Sequence, residues 1–169
     1  MLTGLTDLSR YFRFQAAIGN PPRPALLLRM LCPNGAAFVA TRDESIVGHA
    51  MWAWAPGAST AELAAVIGEA DQRRGLGIRM LSIAAADAIA AGATHFLFVV
   101  SAANERSLRM VRRRWPDATV ERDGALLTYL APARLPDAVA DTHPVPRTAL
   151  APSRQRSASE STPLECPAV

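Results

Sequence analysis

The sequence predicts a mixed α/β domain, an α+β arrangement in which a mixed but mostly antiparallel sheet is flanked by helices. Three observations predict it. Between Ala36 and Ile67, three strand-like segments follow one another across short turn signals, the pattern of an antiparallel meander. A loop, Gln72-Arg73-Arg74-Gly75-Leu76-Gly77, then joins the third of these strands to an alanine-rich segment with helical spacing. After that helix comes the most apolar run of the chain, Phe96-Leu97-Phe98-Val99-Val100, which reads as a central strand. Arriving by a helical crossover, it is expected to lie parallel to the third strand.

The elements follow in order. Leu5 to Phe14 has the spacing of a short amphipathic helix, with Asp7 or Ser9 available as its cap, and Asn20-Pro21-Pro22-Arg23-Pro24 breaks it. Ala25 to Leu31 is a second helix, stopped at Cys32-Pro33-Asn34-Gly35. The strands are Ala36 to Thr41, a turn at Asp43-Glu44, Ile46 to Trp54, a turn at Pro56-Gly57, and Thr60 to Ile67. From Gly75 to Gly92, Ile78, Leu81, Ala85 and Ile89 fall on one helical face, and Gly92 is placed to cap it. Asn104 to Trp115 is a basic amphipathic helix stopped by Pro116, and two short strands, Thr119 to Glu121 and Leu126 to Leu130, surround an Asp123-Gly124 turn. Residues 1–131 are therefore read as one domain. Residues 132–169 are rich in proline, serine and arginine without periodicity, and are read as a disordered tail.

Composition narrows the classes. Half of the 169 residues are apolar, enough for one core of ordinary size. All 18 basic residues are arginine, a usage that points to a GC-rich genome, and the net charge of +3 is too small to argue for nucleic acid as a partner. Arg106, Arg109 and Arg112-Arg113-Arg114 cluster on a helix; such a run is first a solvated face, and second a landing site for phosphate, which guanidinium forks suit. Cys32 and Cys166 lie far apart, which implies no disulfide framework and a reducing compartment. With no signal sequence and no apolar run long enough to span a bilayer, the expected location is the cytoplasm, away from membrane, and no metal site is expected.

The loop carries the first chemistry. Its glycines let the backbone turn tightly and approach a ligand, and the helix after it points unpaired N–H groups at the same spot, which suits a pyrophosphate. A dinucleotide fingerprint would need glycine where Met80 stands, and a nucleoside-triphosphate loop needs a lysine, which the chain lacks.

Gln-x-x-Gly-x-Gly at a strand-to-helix junction resembles the acyl-CoA-binding motif of the GNAT N-acetyltransferases, and the element order from about Ser9 to Leu130 resembles their fold. Ser9-Arg10-Tyr11-Phe12-Arg13-Phe14 is similar to the Ser-x-Tyr-x-Arg-Phe element of one bacterial branch, and Ala61-Glu62-Leu63-Ala64 to its Ala-Glu-hydrophobic-Ala element. That branch holds the cyclic-AMP-regulated protein-lysine acetyltransferases and the acetyltransferase module attached to ADP-forming acyl-CoA synthetases. The resemblance implies acetyl-CoA as co-substrate, with pantetheine beside Ala65, Val66 and Ile67 and the pyrophosphate on Arg73, Arg74, Gly75, Leu76, Gly77 and Ile78. Asn104 matches an asparagine that hydrogen-bonds CoA. The strand of Phe96 to Val100 should diverge from its neighbour to leave a slot for the thioester.

The same resemblance makes Glu62 the general base. An amine attacks a thioester only when neutral, and a lysine amine with a reference pKa of ~10.4 is mostly protonated at neutral pH. A carboxylate near apolar strands, with a raised pKa, suits the task. The expected acceptor is a primary amine on a small molecule or a protein lysine. Glu69 and Asp71, near the loop, are placed where negative charge could cap the helix and are assigned no role in the reaction; His49 is read as a structural histidine, His95 as capping or preceding the central strand, and Trp52 and Trp54 as core or slot lining.

Two departures stand against the family pattern. Val111 occupies the position of the tyrosine that protonates the departing thiolate in many members. Only eight residues precede Ser9, too few for the family's first strand, so an open edge is expected, left by an upstream start or kept for a partner or second copy in a homo-oligomer. The competing function is a degenerate domain that binds acyl-CoA or a protein partner without turnover.

Overall fold

The first helix, α1 (Asp7–Phe14), starts where Thr6 turns its hydroxyl to accept the Ser9 N–H at 3.1 Å. The cap is thus Thr6, and neither Asp7 nor Ser9 as the sequence suggested. A contact distant in sequence selects it, because Glu69 Oε1 accepts both the N–H and the hydroxyl of Thr6, at 3.0 and 2.9 Å. Asp7, now inside the helix, pairs with the buried Arg10. The second helix, α2 (Pro24–Leu31), begins on proline, whose fixed φ and missing N–H suit that position.

This computed structural model describes residues 1–57 and 59–135. The tail expected to be disordered lies outside the described residues from position 136 onward. After α2 come β1 (Gly35–Arg42), β2 (Ser45–Trp54), β3 (Thr60–Ile67), α3 (Leu76–Ala90), β4 (His95–Ser101), α4 (Glu105–Arg114), β5 (Thr119–Asp123) and β6 (Leu126–Pro132). Short 3-10 turns occupy Leu2–Gly4 and Glu69–Asp71. The expected mixed α/β class and its element order are what the chain forms.

The six-stranded sheet runs β1-β2-β3-β4-β6-β5, and every pairing is antiparallel except β3 with β4. Asp43 and Glu44 both take positive φ, 48° and 64°, giving the β1–β2 hairpin a two-residue turn whose twist matches the strands. Among the described residues β1 forms one edge, with no strand beyond it. At the far end of the domain Ala133 and Arg134 stay attached beyond β6, through Ala133 N to Thr94 O at 2.9 Å and Trp115 Nε1 to Arg134 O at 3.2 Å.

Side chains alternate along β3. Ala61 and Leu63 enter the main core with Trp52, Met80, Ala84, Ala88, Phe96, Phe98 and Trp115. Val66 points the other way, into a small cluster with Leu5 and Met30 that Phe14 flanks. By the same alternation Glu62 and Ala64 share the face of Val66. Among the described residues that face carries only a small apolar cluster built from the N-terminal turn, α1 and α2, and the space left over positions the candidate site. Trp52 and Trp54 meet edge to face with ring centroids 5.1 Å apart, and the Trp52 indole N–H donates to Asp87 Oδ1 at 2.9 Å. They belong to the core, and neither lines the cavity described below.

Candidate active site

The parallel pairing of β3 with β4 covers only Thr60 to Glu62, opposite His95 to Leu97. Beyond Glu62 the strands part, as the resemblance led us to expect. From Leu63 to Ile67 β3 keeps its partner β2 on one side but has no sheet partner on the other. A strand edge exposed in this way presents N–H and C=O groups that need acceptors and donors. A cavity of about 610 Å³ opens along it, lined by Ala64 and Ala65 of β3, Phe98 and Val99 of β4, and Asn104 and Val111 around α4. Glu62 lines the same cavity, at the last paired step before the strands diverge, and its side chain is exposed.

The sequence-derived residues fall into two groups. Glu62, Ala65 and Asn104 line the cavity. Val66, Ile67 and the loop from Arg73 to Ile78 do not; they lie along the continuation of β3 and the start of α3. Asn104 is the N-cap of α4, its Oδ1 accepting the Ser107 N–H at 3.1 Å, which leaves the amide nitrogen to face other partners. None of the clustered arginines of α4 lines the cavity. Arg109 pairs with Glu105 at 3.1 Å, both exposed, and the Arg112 Nε donates to the hydroxyl of the buried Tyr129 at 3.1 Å.

The loop is built for its turn. Arg73 and Gly75 both hold left-handed φ, 63° and 76°. Gly75 is the N-cap of α3, and no side chain caps that end of the 15-residue helix, so its first N–H groups point outward unclaimed by the cap. Gln72 anchors the loop from behind, donating to Ile67 O at 3.2 Å and to Ser9 Oγ at 3.5 Å. Two of the three motif segments quoted for the family, the glycine loop and the Ser9-to-Phe14 element, thus touch. Hydrogen bonds from Ser9 and Thr6 hold the Glu69 carboxylate below its ordinary pKa. Asp71 is buried and bonds Arg42, Oδ2 to Nη2 at 3.2 Å. Neither acid caps α3, as their place near the loop had suggested: Glu69 holds the start of α1 through Thr6, and Asp71 holds Arg42 at the end of β1.

Sequence reasoning did not single out several lining residues. Arg13 and Gln15, at the end of α1, line the cavity beside Glu62. Burial lowers the Arg13 pKa, while the Glu62 carboxylate acts to raise it. Arg13 was visible only inside the Ser-x-Tyr-x-Arg-Phe element, which says nothing of burial, and Gln15 carried no signal. Arg29 and Asn34 also line the cavity from α2 and the turn after it. Cys32 lines it too, from the end of α2.

His49 sits outside the cavity, buried at 3% exposure against α2. Met30 O can only accept, so His49 Nε2 carries the hydrogen donated to it at 3.2 Å, and Nδ1 is left buried without a partner. Burial, helped by the charge of Arg13, pushes its pKa down to about 4. The unfolded chain takes up this proton near 6.5 and the folded one only near 4, so between those values the unfolded state binds more protons. Stability is fully present above about 6.5 and falls as the pH drops toward 4. At roughly 1.36 kcal/mol per pH unit the loss is at most about 3 kcal/mol. We expect urea midpoints to fall over this range in the parent, and the fall to be smaller by that amount in His49→Gln.

His95 opens β4, exposed, its Nδ1 3.1 Å from Thr94 Oγ1. Among the described residues no helix is long and apolar enough to cross a membrane, and no three side chains group as a metal site.

Comparison with known proteins agrees with this geometry. Residues 6–114 match the acetyltransferase (GNAT) family. No curated protein sequence matches. The GNAT domain of PAT from S. lividans superposes with a TM-score of 0.67 at 20% identity, over 78% of this chain and 80% of that one. The yncA protein of Salmonella typhimurium, solved with its cofactor acetyl-CoA, gives 0.54 at 18% identity, over 85% and 90%. A ribosomal-protein-alanine N-acetyltransferase from Brucella melitensis gives 0.52 at 16% identity, over 69% and 78%. At such identities these likenesses concern the fold. With its mixed six-stranded sheet, parted central strands and a family match across most of the described residues, the chain belongs to the acetyltransferase (GNAT) family and is an acyltransferase.

Proposed function

We propose that the protein transfers an acetyl group from acetyl-CoA to a primary amine by direct attack, with Glu62 as general base. One observation carries this reading. The strands part immediately after Glu62, so the open backbone edge, the cavity and the one carboxylate that lines it among the described residues meet at a single point.

The residues present fit acetyl-CoA. Leu63 to Ile67 offer backbone groups without a sheet partner, which pantetheine amides can satisfy, and Ala64 and Ala65 are small enough to let it approach. The uncapped N-terminus of α3 and the left-handed turn through Arg73 and Gly75 suit the pyrophosphate. Leu76, Gly77 and Ile78 supply amides in the first turn, and Asn104 a side-chain amide at the far wall. Bound there, acetyl-CoA supplies an acyl group activated as a thioester. Glu62 takes a proton from the acceptor ammonium, directly or through water, to free the lone pair. No tyrosine is among the described lining residues, and Val111 stands buried where one would act, so the thiolate departs without that acid.

The acceptor is a small amine or a protein lysine, the second following from the similarity to bacterial protein-lysine acetyltransferases. Val111 favours one further reading, a domain that binds acyl-CoA without turnover. Release of thiol from acetyl-CoA in the presence of amine and protein acceptors tests the choice. Acceptor-dependent release that Glu62→Gln abolishes is expected. Tight CoA binding with no release on any acceptor would establish the other reading.

The loop gives a paired prediction. A Cβ on Gly77 would meet Ile67 Cγ1 at 3.5 Å, an ordinary contact, and alanine is favoured over glycine in a helix by about 1 kcal/mol. Gly77→Ala should therefore melt no lower than the parent. Gly75→Val must hold a β-branched residue at left-handed φ, a strain of about 1–2 kcal/mol, or give up the turn. Calorimetry should show acetyl-CoA binding weakened by about tenfold or more in Gly75→Val.

A further inference from the structure

Near the end of α1, Arg13 carries a guanidinium that the described residues leave without a carboxylate partner. Its Nε is shut off from solvent and has no hydrogen-bond partner. Nη2 donates to Met51 Sδ at 3.3 Å, a weak acceptor, and Cζ lies 5.3 Å from the Phe14 ring centroid. Among the described residues no carboxylate lies within ion-pair distance of it. Taking a guanidinium out of water is costly unless an anion and hydrogen-bond acceptors replace the water.

Two residues on, Gln15 takes a left-handed φ of 56° and sends its side chain to β4. Its Nε2 donates to Val99 O at 2.9 Å, and since a carbonyl can only accept, this fixes which way the amide faces. Oε1 is then left buried without a partner. Arg13 and Gln15 line the same cavity as Glu62. One cavity thus holds, beside the Glu62 carboxylate, a guanidinium with no carboxylate at ion-pair distance among the described residues. That set complements a molecule bearing both an anion and an amine.

We propose that the acceptor is a small aminocarboxylate, an amino acid or a close relative, whose carboxylate is bound by Arg13 and whose amino group lies at Glu62. The proposal rests on the amine-transfer reading above. One ammonium proton passes to Glu62, and the amine nitrogen then bonds the acetyl carbon. The C–S bond breaks with its electron pair on sulfur, and the second nitrogen proton goes to the thiolate. The products are the N-acetyl acid, CoA thiol and one proton returned to solvent from Glu62. Arg13 is a binding residue in this scheme, and a protein lysine, which brings no carboxylate of its own, is the acceptor it does not explain.

The test uses the full chain, as parent, Arg13→Gln and Arg13→Lys. The probes are the free L-amino acids, β-alanine and γ-aminobutyrate, each beside its matching carboxamide, with lysine-bearing peptides as a separate arm. Binding is read by calorimetry on protein saturated with CoA, and turnover by thiol release. We expect at least one free acid to bind and react with kcat/KM about 10- to 100-fold above its amide, as a charge-assisted bond gives. Arg13→Gln should erase the preference through the acceptor KM, with acetyl-CoA affinity unchanged, which also shows that the variant folds. Arg13→Lys should restore part of it. Free acids that bind through Arg13 without thiol release would support the carboxylate site while refuting amine transfer. Acids and amides treated alike, reaction confined to peptides, or an equal loss on both probes in Arg13→Gln would overturn the proposal.

Discussion

Glu62→Gln lowers kcat by about 10²- to 10⁴-fold and leaves acetyl-CoA affinity within about twofold of the parent, the size of effect a positioned base supplies. The substitution keeps the volume and the hydrogen-bonding reach of the side chain but removes its capacity to take a proton. Binding is spared because the groups proposed to hold acetyl-CoA are the backbone of β3 beyond Glu62 and the amides at the start of α3. Glu62 itself is fixed by the sheet, paired opposite Leu97 on β4 and Ala53 on β2. Its face is set by the alternation that buries Leu63 beneath it. Thiol release under saturating acceptor measures kcat, and calorimetry with acetyl-CoA measures the binding that should survive. A kcat reduced less than about tenfold would remove Glu62 from the chemistry.

Trp115→Ala lowers the stability of the fold by about 3–5 kcal/mol, the cost of deleting a fully buried aromatic side chain. Trp115 is 1% exposed at the end of α4, edge-on to Phe96 at 6.3 Å and tilted against Phe98 at 4.6 Å. Its indole N–H, which must bond something once buried, donates to Arg134 O at 3.2 Å. One residue therefore ties together α4, the central strand and the chain after β6. Truncation leaves a cavity beneath β4 and an orphaned carbonyl above it. Urea denaturation followed by far-ultraviolet circular dichroism should show the midpoint falling accordingly, with Trp115→Phe intermediate because the ring contacts largely remain.

The elements were legible because each carries its own local signal. Proline and glycine punctuate the chain at Pro33 to Gly35, Pro56-Gly57, Gly92 and Asp123-Gly124, and strand and helix periods alternate between them, so the strand and helix boundaries fell within about two residues. The divergence of β4 from β3 was expected from the family resemblance. What escaped the sequence was decided at long range. Three polar residues at the start of α1 could each have capped it, and only Glu69, 63 positions away, selects Thr6. Gln15 owes its orientation to Val99, 84 positions away. The burial of Arg13 follows from how α1 and α2 sit over a thin apolar cluster, a packing fact with no periodic trace in the chain. The arginines of α4, by contrast, drew attention because charge runs are conspicuous, and they lie outside the cavity.

The central claim is that the parting of β3 from β4 is the acetyl-CoA slot and that Glu62 stands at its head. A crystal structure with acetyl-CoA tests it most directly. The account predicts pantetheine lying between the two strands and hydrogen-bonded to the backbone of Ala65 to Ile67. It predicts the pyrophosphate on the amides from Gly75 to Ile78, and the thioester at the end of the slot that Glu62 lines. Acetyl-CoA bound away from this gap, or seated in it with the thioester turned from Glu62 toward solvent, would contradict it.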